Sequence, residues 1–514
     1  MKQHLPVLPA DIWECVASFL SLRELLPLIS VNRALYNIVL DTKYREILWD
    51  KLDVHMSKTL VRLRTPSIAM RVRRLHIRAW FIEYLIRKAF TPHSYVVNSK
   101  RWISQYLRLP PRITPSTGGK SSSAGDILES MTQAVRLMTH VTEYSFEWRD
   151  LSPTPETLRF LSAGRAAFGV SLRKLVLHAQ LSNFAALLTT VDFENLEELE
   201  LFLDHDHSVG AHSADLLRGC IAPFVNHFRR TLASLLISSA SKADVAPLLE
   251  ALQGVPHLRT LVGRFAFDTV HLSDPGGLVK ILRTHADTLL NVELGWSFAA
   301  SLESDSDADQ PSVPALSTWG AFSAAVFADP AVFVNLTSFK LPCLSTFDST
   351  LQCLRRSADT LTSLHLVDHF LRDQELTDLV GVFAHRPFDA GLQSLHLGLM
   401  HFGVETLDLL AGRVPGLRSL GLVLTPTTVA EISHREYSPT SLFCESLAKR
   451  SYPDWALSNL GIWEKRFIDT TYTIPDELMI MQHIARCIPK VQTFKGQSKV
   501  EGRCRAWLPG VDDA

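Results

Sequence analysis

Residues 361–366 read LTSLHL and residues 392–397 read LQSLHL, two copies of one pattern with leucine at positions one, four and six. We write the pattern LxxLxL, where L stands for any large apolar residue. In an extended strand, positions four and six point to one face, and positions three and five point to the other. Each copy therefore predicts a short strand with one buried face and one exposed face.

The pattern recurs from about residue 140 onward, mostly at intervals of 24 to 36 residues. The other copies are 141–146, 172–177, 196–201, 232–237, 258–263, 289–294, 336–341, 417–422, 457–462 and 491–496. Apolar residues between copies have helical spacing, as at Phe184, Leu187, Leu188 and Val191. A repeated strand–helix unit buries a continuous core only by stacking on its neighbours.

These units resemble leucine-rich repeats, although the asparagine that usually follows LxxLxL is absent from nearly every copy. The resemblance implies an irregular α/β solenoid over residues 127–500, with a curved parallel sheet and helices on its convex side. Composition predicts a flexible linker at 112–126, a disordered acidic insert at 303–314 and a tail at 501–514. His365 and His396 share a register position, so we expect them to face the same side of the sheet.

Residues 5–52 have the pattern of a three-helix module. Helix one follows Pro9, and Ser21 with Glu24 forms a capping-box signature for helix two. Pro27 predicts a break one turn into that second helix. So small a unit hides few apolar side chains, which favours a partner, although docking on downstream helices is the alternative.

The module resembles an F-box, a match carried by Leu8-Pro9, Asp11, Phe19-Leu20, Leu25-Leu26, Val31-Asn32-Arg33, Leu35 and Leu48-Trp49. The resemblance implies that the module binds a Skp adaptor. The predicted adaptor-binding residues are Leu8, Pro9, Ile12, Val16, Phe19, Leu20, Leu25, Leu28, Val31 and Trp49.

Residues 53–111 are predicted to be amphipathic, basic connector helices. Within them, residues 58–88 carry nine Lys or Arg and one acid, Glu83. An apolar stripe predicts one long helix there; it consists of Ile68, Val72, Leu75, Ala79, Ile82 and Ile86. Packing between the module and the repeats is the favoured interpretation, and a nucleic-acid patch, a membrane-surface helix and a calmodulin target are the alternatives.

Composition restricts the class of protein. The 514 residues include 52 basic and 53 acidic side chains, which argues against a large nucleic-acid surface. Apolar runs fall short of a membrane span, and the N-terminus lacks a signal-peptide pattern. The seven cysteines form no CxxC pair, so we expect reduced thiols and a cytoplasmic or nuclear location.

The sequence has no recognisable catalytic or phosphate-binding motif, which predicts a protein that is not an enzyme and needs no cofactor. One cluster has metal-ligand residue types: Asp204, His205, Asp206, His207 and His212. Alternating histidines on an extended segment can chelate a metal, but the spacing fits no known catalytic site, so we interpret the cluster as a polar loop and predict no metal.

Together, the two resemblances imply a substrate-recognition subunit of a Skp–cullin–F-box ubiquitin ligase, monomeric within the complex. Its partners would be the Skp adaptor, through it a cullin–RING ligase, and an unknown protein substrate, with neither nucleic acid nor membrane involved. The alternative is a leucine-rich-repeat scaffold outside any ligase. The predicted substrate-binding residues on the concave face are Lys174, His178, Glu198, Glu200, Phe202, Arg264, Lys340, His365, His396 and Trp463.

Overall fold

The computed structural model describes residues 9–79, 81–83, 124–148, 154–189, 193–204, 212–239, 243–295, 313–342, 347–388, 390–424, 439–465, 471–472, 477–494 and 497–498. The chain has an α/β fold and divides into two compact units, Met1–Leu232 and Ala233–Ala514. The predictions for residues 84–111, 303–312 and 501–514 lie outside the described residues.

The first unit contains a parallel sheet whose strands pair in chain order. Its strands are β1 Glu46–Trp49, β2 Arg74–Arg78, β3 Glu143–Glu147, β4 Lys174–Gln180 and β5 Glu198–Asp204. Helices follow the strands, so that strand and helix alternate along the chain. After the N-terminal module, the described helices are α4 Val54–Leu63 and α5 Pro66–Ala69, then Ala124–Val135, Pro155–Phe168, Leu181–Thr189, Ser213–Leu216, Leu217–Ile221 (a π-helix) and Ala222–His227.

The second unit repeats this plan. Its strands are β6 Ser234–Ser239, β7 Thr260–Arg264, β8 Asn291–Gly295, β9 Ser338–Leu341, β10 Ser363–Leu371, β11 Ser394–Leu399, β12 Ser419–Leu424, β13 Asn459–Lys465, β14 Thr471–Tyr472, β15 Thr493–Phe494 and β16 Gln497–Ser498. Strands β6 to β13 pair in parallel in chain order, and β15 pairs in parallel with β13. The short strands β14 and β16 are antiparallel to β13 and β15. The described helices are Ala246–Ala251, Gly276–Thr284, Val313–Phe327, Phe347–Ser357, Asp373–Phe383, Val404–Arg413, Pro439–Leu447 and Glu477–Cys487.

The predicted strands are confirmed in all twelve LxxLxL copies, and each strand begins at the third position of its copy. In the copy at 392–397, the apolar residues Leu392, Leu395 and Leu397 are at most 2% exposed. The predicted helical segments are confirmed as well, since Leu376, Leu379, Val380 and Phe383 are buried on helix Asp373–Phe383. Positions one, four and six therefore form the core between sheet and helices, and positions three and five lie on the opposite face.

The predicted long basic helix is wrong in the described residues. Residues 58–79 contain the end of α4, the short α5 and strand β2. Residues 72–77 (VRRLHI) are a further LxxLxL copy, and Leu75 and Ile77 are buried. The apolar residues of the stripe recur every three or four residues, which fits a helix, but the alternation at 75 and 77 also fits a strand. As a strand, the segment hydrogen-bonds its backbone N–H and C=O groups to β1 and β3.

Basic side chains of this segment make ion pairs within the chain. Arg71 Nη1 lies 2.6 Å from Asp41 Oδ1, and Arg74 lies 3.5 Å from Glu46 and 3.3 Å from Glu143. Charges balanced in this way attract phosphates weakly. The contacts therefore favour the packing interpretation over a nucleic-acid patch.

The N-terminal module consists of α1 Ala10–Ser18, α2 Leu22–Leu25, a 3₁₀ turn Leu26–Ser30 and α3 Arg33–Tyr44. The Glu24 carboxylate accepts a hydrogen bond of 2.8 Å from the backbone N–H of Ser21, as the capping-box signature predicted. The break predicted at Pro27 is the change from α-helix to 3₁₀ turn.

Two predicted boundaries need correction. Residues 44–49 (YREILW) are another LxxLxL copy, so the sheet begins at Glu46, inside the module predicted for 5–52 and well before residue 127. The linker predicted at 112–126 also ends earlier, because a helix starts at Ala124.

Candidate protein-binding surfaces

The N-terminal module exposes a set of large apolar side chains. Ile12 is 44% exposed, Val16 43%, Phe19 82% and Val31 59%. Leu22 and Leu26, which were not among the predicted adaptor-binding residues, are also exposed, at 37% and 40%. So many large apolar side chains exposed on one small module are typical of a surface that a partner covers.

The module's own core is small and includes two of the predicted adaptor residues, Leu20 and Leu25. Ala17, Leu25 and Val39 are buried together, and Leu20, Ile29 and Ile38 pack against them. Pro9 is exposed and Leu28 is half-buried, whereas Leu8 lies outside the described residues.

Two of the residues predicted to contact the adaptor are buried in the protein instead. Leu25 is 2% exposed because it fills the module core, and Trp49 is 1% exposed because it lies on the inward face of β1. Neither side chain reaches the surface. Both stabilise the fold instead.

The sheet face of the first unit carries charges that alternate across the strands. The third position of each LxxLxL copy is the first residue of its strand. In β1 to β5 these residues are register partners of one another, and they are Glu46, Arg74, Glu143, Lys174 and Glu198. Opposite charges at directly opposed positions stabilise neighbouring strands. This row therefore neutralises much of its own charge.

Lys174 is held firmly in its charged form. Its ammonium group lies 2.6 Å from Glu200 and 3.5 Å from Glu198. Burial acts to lower the pKa of Lys174, but the hydrogen bond to Glu200 and the neighbouring carboxylates outweigh burial and raise it. The predicted residues Lys174, Glu198 and Glu200 therefore form one ion-pair network.

His178 and Phe202 are brought together beside this network. His178 Nε2 lies 2.6 Å from Asp204 Oδ1, and Nδ1 lies 3.5 Å from Glu147 Oε1. The ring centroids of His178 and Phe202 are 5.4 Å apart. All five residues predicted on this unit thus lie on one face.

The second unit's face begins with a compact charged cluster. Glu293 Oε1 accepts hydrogen bonds of 3.0 Å from Arg264 Nε and 2.9 Å from Lys340 Nζ. Burial acts to raise the pKa of the Glu293 carboxyl, but the two cationic donors outweigh burial and lower it. Glu293 was not predicted, although it occupies the same fifth position of its copy as Lys340 and His365.

A stack of three aromatic rings continues this face. His365 and His396 are register partners with ring centroids 4.2 Å apart, which confirms the predicted juxtaposition. Trp463 extends the stack, with its ring 5.3 Å from that of His396 and only 7° from parallel. Lys340 is the register partner of His365 on the other side. The structure thus brings together Lys340, His365, His396 and Trp463.

Two glycines make room for these rings. Gly421 and Gly461 occupy the fifth position of their copies, in register with His396. A Cβ atom at Gly421 would lie 2.6 Å from the His396 ring, and one at Gly461 would overlap the Trp463 ring. Glycine is therefore required for the rings to lie against β12 and β13. The sequence signal was present, since both glycines interrupt an otherwise side-chain-bearing row.

Both imidazoles of the stack are neutral near pH 7. Burial lowers the pKa of His365 to about 3, and the nearby His396 and Lys340 add to the shift while Glu293 opposes it. Burial and Lys340 also lower the pKa of His396. His365 Nε2 is buried and has no hydrogen-bond partner in the described part of the chain.

A shallow groove of about 200 Å³ lies alongside the stack. It is lined by the rings of His396 and Trp463, by both glycines, and by a row of small polar residues, Ser394, Ser419, Asn459 and Thr493. The strand register brings these four side chains into one line across β11, β12, β13 and β15. The groove is thus walled by aromatic rings and edged by hydroxyl and amide groups.

Among the residues that the structure describes, no group of three or more His, Cys, Asp or Glu side chains is arranged to hold a metal ion. His205, Asp206 and His207 lie outside those residues, and His212 is exposed, 3.8 Å from Asp215. Within the same limits, no helix is long and apolar enough to cross a membrane.

Comparison with known proteins gives little beyond this description. No protein-family model matches the chain, and no curated protein matches it. Among solved structures, the chain is similar to one in the crystal structure of the Rad7 and Elc1 complex in yeast, with 16% sequence identity and a TM-score of 0.35. The match covers 75% of this chain and 92% of that one. A likeness this low carries no argument about function.

Proposed function

We propose that this protein is the substrate-recognition subunit of a Skp–cullin–F-box ubiquitin ligase. The observation that carries the proposal is the exposed apolar surface on the N-terminal helices, above all Phe19, which is 82% exposed. The core beneath it is small, with Ala17, Leu25 and Val39 buried together. The resemblance of residues 5–49 to an F-box suggests a Skp adaptor as the partner of this surface.

The proposed role requires no catalytic residue in this chain. The helices would bind the adaptor while the repeat face holds a substrate. Tethering raises the effective concentration of a substrate lysine near the ubiquitin-loaded enzyme and orients it. The proposal thus includes a protein that is not an enzyme and that works in the cytoplasm or nucleus.

Adaptor binding provides the test. We expect the full chain, co-expressed with a Skp adaptor, to purify as a stable complex. Phe19→Ala should raise the dissociation constant about 30-fold, since truncation of a central aromatic anchor typically costs about 2 kcal/mol. The matched control is Val170→Ala, which also truncates an exposed apolar side chain, 66% exposed, on the first unit outside the module.

Calorimetric titration with purified adaptor would give both constants, and circular dichroism would confirm that each variant is folded. A folded chain that does not bind the adaptor, or that binds equally well after Phe19→Ala, would overturn the proposal. A complex that binds the adaptor but never co-purifies with a cullin would favour the scaffold alternative.

A further inference from the structure

The ring stack on the second unit has features that fold stability does not require. Two imidazoles and an indole lie on the solvent-facing side of the sheet, where most repeat proteins carry hydrated side chains. Two glycines are needed to accommodate them, and glycine in a strand weakens it. His365 Nε2 is also left without a hydrogen bond among the described residues. Features that cost stability on an otherwise regular sheet point to a binding role.

The groove beside the stack has a definite size. Its volume is about 200 Å³. A cavity of about 150 Å³ admits a benzene ring, so the groove accommodates one aromatic side chain. Aromatic rings pair favourably in offset or edge-to-face arrangements, which the walls formed by Trp463 and His396 provide.

The polar edge of the groove suits a peptide backbone. Ser394 and Ser419 are half-buried, and their hydroxyl groups make no hydrogen bond within the described residues. They are followed in register by Asn459 and Thr493, which bond each other at 2.6 Å. Hydroxyl groups both donate and accept, so they match the alternating N–H and C=O groups of an extended chain.

The electrostatics of the groove favour an uncharged ligand. Both imidazoles are neutral near pH 7 because burial lowers their pKa values. Two cations on this face, Arg264 and Lys340, share the carboxylate of Glu293. An acidic or phosphorylated ligand would have to compete with that carboxylate for either of them.

We propose that this groove binds one aromatic side chain of an extended peptide segment, with Trp463 and His396 packing on the ring and the serine hydroxyls bonding the peptide backbone. The inference rests on the proposed function in one respect, since it specifies the substrate class that the repeat face would select. A receptor with this groove would recognise unfolded or loop segments that display phenylalanine, tyrosine or tryptophan.

The test uses the full-length protein and capped five-residue glycine–serine peptides that differ only in the central residue. Ligand-observed NMR would measure binding of peptides with central phenylalanine, tryptophan, leucine or phosphoserine. We expect the aromatic peptides to bind at least tenfold more tightly than the leucine and phosphoserine peptides. Trp463→Ala should abolish this preference, and Trp463→Phe should retain part of it.

The matched control is Phe388→Ala, which truncates an exposed aromatic side chain of the second unit that does not line the groove, and which should leave peptide binding unchanged. Equal binding of all peptides, unchanged binding after Trp463→Ala, or tighter binding of phosphoserine would overturn the inference. Adaptor and peptide binding by the unmodified chain separates the two proposals. If the adaptor binds and aromatic peptides do not, only this inference fails. If aromatic peptides bind and the adaptor does not, only the proposed ligase function fails.

Discussion

Leu364→Ala is expected to lower the free energy of unfolding of the second unit by about 3 kcal/mol, the middle of the range for buried leucine truncation. Leu364 is 1% exposed and occupies position four of its copy. Its register partners are Phe339 on β9 and Leu395 on β11, both also buried. The cavity left by truncation is therefore enclosed by two neighbouring repeats, which have little freedom to collapse into it.

The adjacent residue supplies the control. Ser363 points to the opposite face of the same strand, so Ser363→Ala should change stability by less than about 0.5 kcal/mol. Urea denaturation followed by far-ultraviolet circular dichroism would measure both variants. Similar midpoints for the two variants would contradict the two-faced strand on which the whole repeat description depends.

The repeat strands could be predicted because alternation in LxxLxL is a local signal that long-range packing reinforces. The third-position start of every strand that belongs to an LxxLxL copy follows from the same pattern, since positions four and six must both face the core. The first two strands were missed for a particular reason. At 44–49 and 72–77, the apolar residues fit both the helical period of about 3.6 residues and the strand period of two. These segments form strands because they pair with neighbouring strands of the sheet.

The candidate sites were only partly predictable. Register alone placed His365 beside His396, because equivalent positions of adjacent parallel strands lie side by side. The contribution of Trp463 to the stack depends on the absence of side chains at Gly421 and Gly461, which is a tertiary effect. Leu25 and Trp49 fit a family motif whose residues include both surface and core positions, and only burial distinguishes the two.

Acidification is expected to destabilise the second unit through His365 before the pH reaches the ordinary carboxyl range. Burial lowers the pKa of folded His365 to about 3, whereas an unfolded histidine has a pKa of about 6.5. As the pH falls through 6.5, the unfolded chain therefore binds a proton that the folded chain refuses. The stability contributed by this group is complete above pH 6.5 and is lost progressively toward pH 3.

At pH 5 the difference corresponds to about 2 kcal/mol from His365 alone. His396 faces it across the stack and acts in the same direction, because its pKa is lowered as well. Glu293, whose pKa is lowered, starts to lose its stabilising contribution only as the pH falls into the ordinary carboxyl range. The interval between pH 7 and pH 5 therefore reports on the two imidazoles.

His365→Gln removes the titrating group while keeping a polar side chain of similar length. Urea midpoints of this variant should depend less on pH between 7 and 5 than those of the parent chain, whatever its stability at pH 7. His257→Gln, at an exposed position, should retain the parent's pH dependence. If His365→Gln keeps the full slope, the imidazole is protonated in the folded protein, and the neutral, desolvated stack that the groove requires does not exist.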